Sequence, residues 1–196
     1  MEWILERLLG MVITTAQQAQ VPPELVLALI EAESGGNPYA ARLTANYPYT
    51  VMQASRPSAC DLSTENIMQK TAWGLMQLMG ATARSLGFDG WLPELAEPKV
   101  CLPLGAEYLK RLMGRYHEKY GLAGVVSACN TGTPRTRPDG KFVNQGYVDK
   151  VLKTMEKYKP IVREKENETA EEEAVPSSEN DDRPAKRKKG ASSENS

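Results

Sequence analysis

The chain has 196 residues, a formal net charge of -1, 25% charged residues and three cysteines. That balance excludes a protein held to nucleic acid by bulk positive charge, and no stretch is apolar for long enough to span a bilayer. Cys60, Cys101 and Cys129 show no metal-ligand spacing and are read as reduced thiols; His117, the single histidine, sits in the polar run Arg115-Tyr116-His117-Glu118-Lys119, so no metal or organic cofactor is expected.

Ile4, Leu8, Met11 and Val12 recur at helical spacing, which predicts an amphipathic helix over about residues 3–19. It lacks a basic start, and Glu6 and Arg7 interrupt its apolar run, so it is not a signal peptide. The expectation is a chain that keeps its N-terminus and reaches an extracytoplasmic target by another exit.

A second helix opens at Pro22-Pro23, where proline is tolerated in the first turn, and ends at Ser34-Gly35-Gly36-Asn37-Pro38. At about 100° per residue, Leu25, Val26, Leu29 and Ile30 form an apolar arc centred on the direction of Glu33, while Glu31 projects with Glu24 on the far, solvated side. Partial burial and the negative end of the helix dipole both disfavour a carboxylate. Glu33 is therefore expected to hold its proton more tightly than a free glutamate, as an acid that protonates a glycosidic oxygen must. The plainer alternative is a helix-end glutamate that bends into water or pairs with an arginine.

Residues 39–69 form a long turn-rich segment with Pro48 and Pro57, the kind of loop that is usually functional or partly structured. Helices follow around Ala81–Arg84, stopped by Gly87, then over Leu104–Met113, over Leu122–Cys129 and over Tyr147–Tyr158, the last with Tyr147, Val151, Met155 and Tyr158 aligned. No run alternates convincingly enough for a strand, so the expected fold is all-α. From Ile161 onward large apolar residues almost vanish, and 7 basic and 10 acidic residues crowd the segment. It is expected to be disordered, which leaves a folded body at 1–160 with 17 basic and 15 acidic residues. The basic run Arg183 to Lys189 reads as a solubilising end, the alternative being contact with DNA, an acidic polymer or anionic lipid.

Four motifs in order carry a resemblance. They are Glu33-Ser34-Gly35-Gly36-Asn37-Pro38; Gly74-Leu75-Met76-Gln77-Leu78-Met79, running on through Ala81-Thr82-Ala83-Arg84 and Leu86-Gly87; Ala128-Cys129-Asn130-Thr131-Gly132; and Tyr147-Val148. With the Gly105–Leu109 helix between them, they make residues 4–158 resemble the soluble-type lytic transglycosylases of bacterial peptidoglycan, relatives of goose-type lysozyme. The segment from Tyr39 to Ala72 is longer than usual for the family and is similar to versions in phage-encoded or virion-associated enzymes; its Tyr47, Tyr49 and Arg56 are candidates to cover a glycan chain.

The resemblance implies a lysozyme-like helical domain, expected to be a monomer, whose groove binds peptidoglycan glycan strands in the periplasm or from a virion. It implies Glu33 as the sole catalytic carboxyl group, giving 1,6-anhydromuramic ends. Ser34 would steady Glu33 or the sugar, Met76 and Gln77 would line the groove with the Gln77 amide toward acetamido groups, and Asn130 would contact sugar. Tyr147, with Tyr108, would hydrogen-bond the carboxyl or stack on the glycan. Met76 equally suits a core, Tyr108 on its helical stripe suits a core better than a ligand, and Asn130 also suits a helix stop. Cys129, Thr131 and Gly80 depart from the family's usual Tyr, Ala and Pro. Asp61 or Glu65, folded near Glu33, would instead suit a hydrolytic lysozyme of the goose type. A silent wall-binding or virion module is the remaining alternative.

Overall fold

The structure, a computed structural model, describes residues 1–51 and 56–174. Seven helices are assigned among these residues: α1 (Glu2–Arg7), α2 (Leu9–Ala19), α3 (Pro23–Ser34), α4 (Leu62–Gln69), α5 (Gly80–Ser85), α6 (Pro98–Thr131) and α7 (Gln145–Ala174). Three short strands, β1 (Ala41–Leu43), β2 (Thr71–Trp73) and β3 (Leu78–Met79), form an antiparallel sheet in the order β1-β2-β3, and a 3-10 turn spans Leu92–Ala96.

The helical class expected from sequence holds, with the sheet as an addition. Strands of two or three residues are too short to show alternation, so their pairing is visible only once the chain is folded. The first helix is interrupted at Leu8 (φ -120°, ψ -3°), which divides it into α1 and α2. The two helices expected around 104–113 and 122–129 lie on either side of Gly121 (φ 62°, ψ -170°), which breaks the helical path inside α6.

α3 is the central element. Pro23 occupies its first turn, and Gly35 ends it in the left-handed conformation at φ 61°. Every residue from Leu25 to Ile30 is buried, so the helix is enclosed on all sides rather than along one stripe. Each large aliphatic side chain buried this way contributes about 1.5–3 kcal/mol. α3 packs chiefly against α7, α2 packs against α6, and together with Leu75 these helices enclose the main core. A smaller cluster of Leu78, Ala83, Leu92 and Leu95 forms beneath the sheet, and Tyr108 on α6 packs against both clusters.

Two expectations are corrected. α7 does not stop near residue 160 but runs on to Ala174, with Val162 buried at 4% exposure, so the proposed boundary at 161 falls inside a helix. Tyr158 and Val162 extend the apolar stripe by one more turn, and that burial outweighs the polar composition around it. The remainder of the expected tail, including Arg183 to Lys189, lies outside the described residues. Glu31, in turn, is not free in water: it accepts hydrogen bonds from the Tyr158 hydroxyl and, at 3.0 Å, from Lys157 Nζ, both on α7. Burial opposes its charge, but those two partners hold the carboxyl below its ordinary range. Among the described residues, no helix is long and apolar enough to cross a membrane.

Candidate active site

A cleft of about 550 Å³ opens between the α3–α6 core and the sheet. Its walls come from Leu29 and Glu33 on α3, Arg42 to Thr44 with Tyr47 and Tyr49 beyond β1, Met76 to Met79 at the β2–β3 turn, and Tyr108 and Cys129 to Gly132 on α6. Glu33 is the sole carboxylate among the lining residues.

Glu33 sits in the last turn of α3, where the buried run has carried the helix under the cleft. Burial pushes its pKa above the ordinary glutamate value, against opposing contributions from the Tyr147 hydrogen bond and the charges of Arg42 and Lys150. Tyr147, from the first turns of α7, donates its hydroxyl to Glu33 Oε1 at 2.6 Å. Burial and the neighbouring carboxyl hold the Tyr147 proton firmly in place, so this hydroxyl acts as a donor. The carboxyl therefore has one oxygen fixed by the protein and the other left for a proton.

The remaining sequence candidates fall into distinct positions. Ser34 Oγ lies 2.7 Å from the Leu75 carbonyl and 3.2 Å from that of Ile30, and accepts from the Gly36 N–H at 3.2 Å. It fastens the end of α3 to the β2–β3 turn instead of holding the Glu33 side chain. Gln77 lines the cleft, but its amide nitrogen donates to the Ala40 and Gly74 carbonyls, each at 3.0 Å. Both N–H groups expected to face acetamido groups thus pin the turn, where Gln77 itself holds a left-handed φ of 47°. Its carbonyl oxygen remains as an acceptor.

Met76 lines the cleft and also packs against the core, its sulfur so close to Gly105 that a Cβ there would overlap it. Tyr108 joins it on the wall, its phenol pushed up to about 12 by burial. Asn130 lines the cleft with its Oδ1 accepting from Asn144 Nδ2 at 3.1 Å, which turns its own amide N–H groups away from Asn144. Asn144 is fixed in turn by the buried Ser127 hydroxyl at 2.7 Å. Nothing local marks Asn144 as an orienting residue, because an asparagine before a helix looks like a cap alone.

Tyr47 and Tyr49 form an edge-to-face pair, centroids 5.7 Å apart, on the cleft wall. Arg56 is not part of that wall; its Nε donates to the Cys60 carbonyl. Cys129 lines the cleft with Glu33, its thiol pushed up to about 12 by burial and by the charge of Glu33. Arg42 is a cleft residue that sequence reasoning missed, since nothing marks one arginine in a turn-rich segment.

Neither of the other acids weighed from sequence stands beside Glu33. Asp61 caps α4, accepting from the backbone N–H groups of Ser63 and Thr64. Glu65 is buried with Arg84, Nε to Oε1 at 2.7 Å and a second guanidinium nitrogen to Oε2 at 3.0 Å. Among the described residues the cleft thus presents one protonatable carboxyl, anchored by the Tyr147 phenol, with a polar wall and an aromatic wall, a set suited to general acid and base chemistry on a bound sugar chain.

The sequence model of the transglycosylase SLT domain matches residues 10–146, well over half of the chain and inclusive of every lining residue of the cleft. No curated protein and no solved structure matches it significantly.

Proposed function

The chain belongs to the transglycosylase SLT domain family, lytic transglycosylases that act as lyases on the peptidoglycan of the cell wall, and on that premise we propose that it cleaves the β-1,4 bond between N-acetylmuramic acid and N-acetylglucosamine with Glu33 as its one acid and base. The observation that carries this reading is the isolation of Glu33: among the described residues it is the single carboxyl group lining the cleft, and burial favours its protonated form.

Glu33, protonated on the oxygen that Tyr147 does not hold, donates to the glycosidic oxygen as the bond to the muramyl anomeric carbon breaks. The muramyl acetamido oxygen stabilises the positive charge that develops on that carbon. Glu33, now a carboxylate, takes the proton of the muramyl 6-hydroxyl as its oxygen closes onto the anomeric carbon. The acid is regenerated, no water is consumed, and the product is a 1,6-anhydro sugar. A general acid of this kind contributes about 10²–10⁴ in rate.

Mass analysis of digested peptidoglycan tests the proposal, because anhydromuramic ends weigh one water less than reducing ends. Glu33→Gln is expected to bind sacculi and to cleave nothing. Reducing ends would replace this reading with hydrolysis by a goose-type lysozyme. Binding without cleavage by the wild type would make the domain a docking module.

A further inference from the structure

β1 carries an arginine that the fold does not use. Arg42 lies opposite Ala72 in the β1–β2 register, and Ala72 lies opposite Met79 in the β2–β3 register. Residues directly opposite in an antiparallel pair project to the same sheet face, so these three side chains form one row, and all three line the cleft. Arg42 is exposed, and among the described residues no ion pair or hydrogen bond holds its side chain. Arg84 shows the contrast: its guanidinium is buried and bonded to Glu65 and to the carbonyls of Phe88 and Gly90.

An unpartnered guanidinium beside an acid that must hold a proton is a conflict. Glu33 is faced by Tyr147 and Lys150 from α7, by Cys129 from α6 and by Arg42 from β1, and both cations draw the proton off it. Of the two, Arg42 is the one on the cleft wall. An anionic group of the substrate that took up the charge of Arg42 would resolve the conflict.

We propose that Arg42 is a specificity determinant whose guanidinium fork pairs with a carboxylate of the wall polymer as the glycan enters the cleft. The proposal rests on the reading of the cleft as a peptidoglycan site. A planar fork with two parallel N–H donors matches a carboxylate, which lysine does not reproduce. Two parts of peptidoglycan supply that group: the lactyl carboxylate of a muramic acid stripped of its peptide, and the acidic residues of an attached stem peptide.

The test uses the full chain with soluble glycan strands in three forms: peptide-bearing, stripped by an amidase, and stripped then amidated with carbodiimide so that no carboxylate remains. Binding and cleavage are both measured for wild type, Arg42→Gln and Arg42→Lys, with thermal melts to verify folding. Arg42→Gln is expected to raise Kd and KM about tenfold on carboxylate-bearing strands, the size of one charge-assisted pair at a wet site. On amidated strands the Kd of Arg42→Gln should match that of the wild type, and Arg42→Lys should fall between. A penalty that persists on stripped strands assigns the lactyl group, and one that vanishes with the peptide assigns the stem.

Equal ratios of variant to wild type on charged and amidated strands would overturn the inference. A wild type that binds strands with this discrimination but cleaves none would sink the proposed reaction and leave the role of Arg42 standing. A wild type that binds no form of strand would overturn both.

Discussion

Tyr147 and Glu33, 114 positions apart, share a hydrogen bond of 2.6 Å across the packed faces of α7 and α3. The bond favours the charged carboxylate, so it works against burial, which favours the acid. Removing the hydroxyl therefore raises the pKa of Glu33 further. In the proposed reaction cleavage begins with protonated Glu33, so activity is expected to fall as pH rises through that pKa. Tyr147→Phe is expected to move the alkaline limb of the pH–rate profile upward and, by loosening the carboxyl, to lower kcat about tenfold. A limb that stays in place or moves down would show that this bond does not govern the acid.

The same carboxyl makes a prediction about stability. Its folded pKa is raised above the ordinary value of 4.5, so the stability it contributes is full below that value and is lost as pH rises through the folded pKa. Glu33→Gln keeps a neutral side chain at every pH. Thermal melts are expected to show the variant more stable than wild type at neutral pH, with the gap closing toward pH 4. A variant less stable than wild type at pH 7 would contradict a carboxylate disfavoured by its surroundings.

Glu65 and Arg84 hold the lobe that carries the sheet. Both are buried at 4% exposure, and although burial opposes the Glu65 charge, the Arg84 hydrogen bonds hold its carboxyl below the usual range. That contribution to stability is present above the unfolded pKa and is lost as pH falls through the folded one. Arg84→Met leaves a buried, unpaired carboxyl and is expected to cost about 3–5 kcal/mol, whereas Asp61→Ala removes an exposed cap and costs about 1 kcal/mol. Urea unfolding of the two variants measures the difference, and similar losses would mean that the buried pair does not anchor the lobe.

Much of this site was legible because its pieces are local. Glu33 to Pro38, Gly74 to Met79 and Ala128 to Gly132 are each contiguous, and the direction of Glu33 follows from the apolar positions one and two turns before it. What escaped depends on contacts distant in sequence. Glu31 looked solvated because a helix wheel does not show that α7 lays Tyr158 and Lys157 against it. The Gln77 amide looked like a sugar ligand because the nearby carbonyls that absorb it exist only after the β2–β3 turn closes. The end of α7 was misplaced for a different reason: charge-rich composition obscured Val162, although it lies four residues beyond Tyr158 on the same stripe.

Gly105 on α6 and Met76 in the β2–β3 turn pack so closely that a Cβ on the glycine would overlap the methionine sulfur. A methyl group at Gly105 must displace Met76, and because Met76 lines the cleft, the damage should reach substrate binding as well as packing. Gly105→Ala is expected to destabilise by about 1–3 kcal/mol, the usual range for overpacking, and to raise KM. Alanine is otherwise the better helix former, so once the side chain in the way is shortened the same substitution loses its penalty. In a Met76→Ala background, Gly105→Ala should therefore be neutral or stabilising, a favourable coupling of about 1–3 kcal/mol in a double-mutant cycle. Simple additivity of the two variants would mean that the turn yields without cost, and that Met76 does not set the width of the cleft at α6.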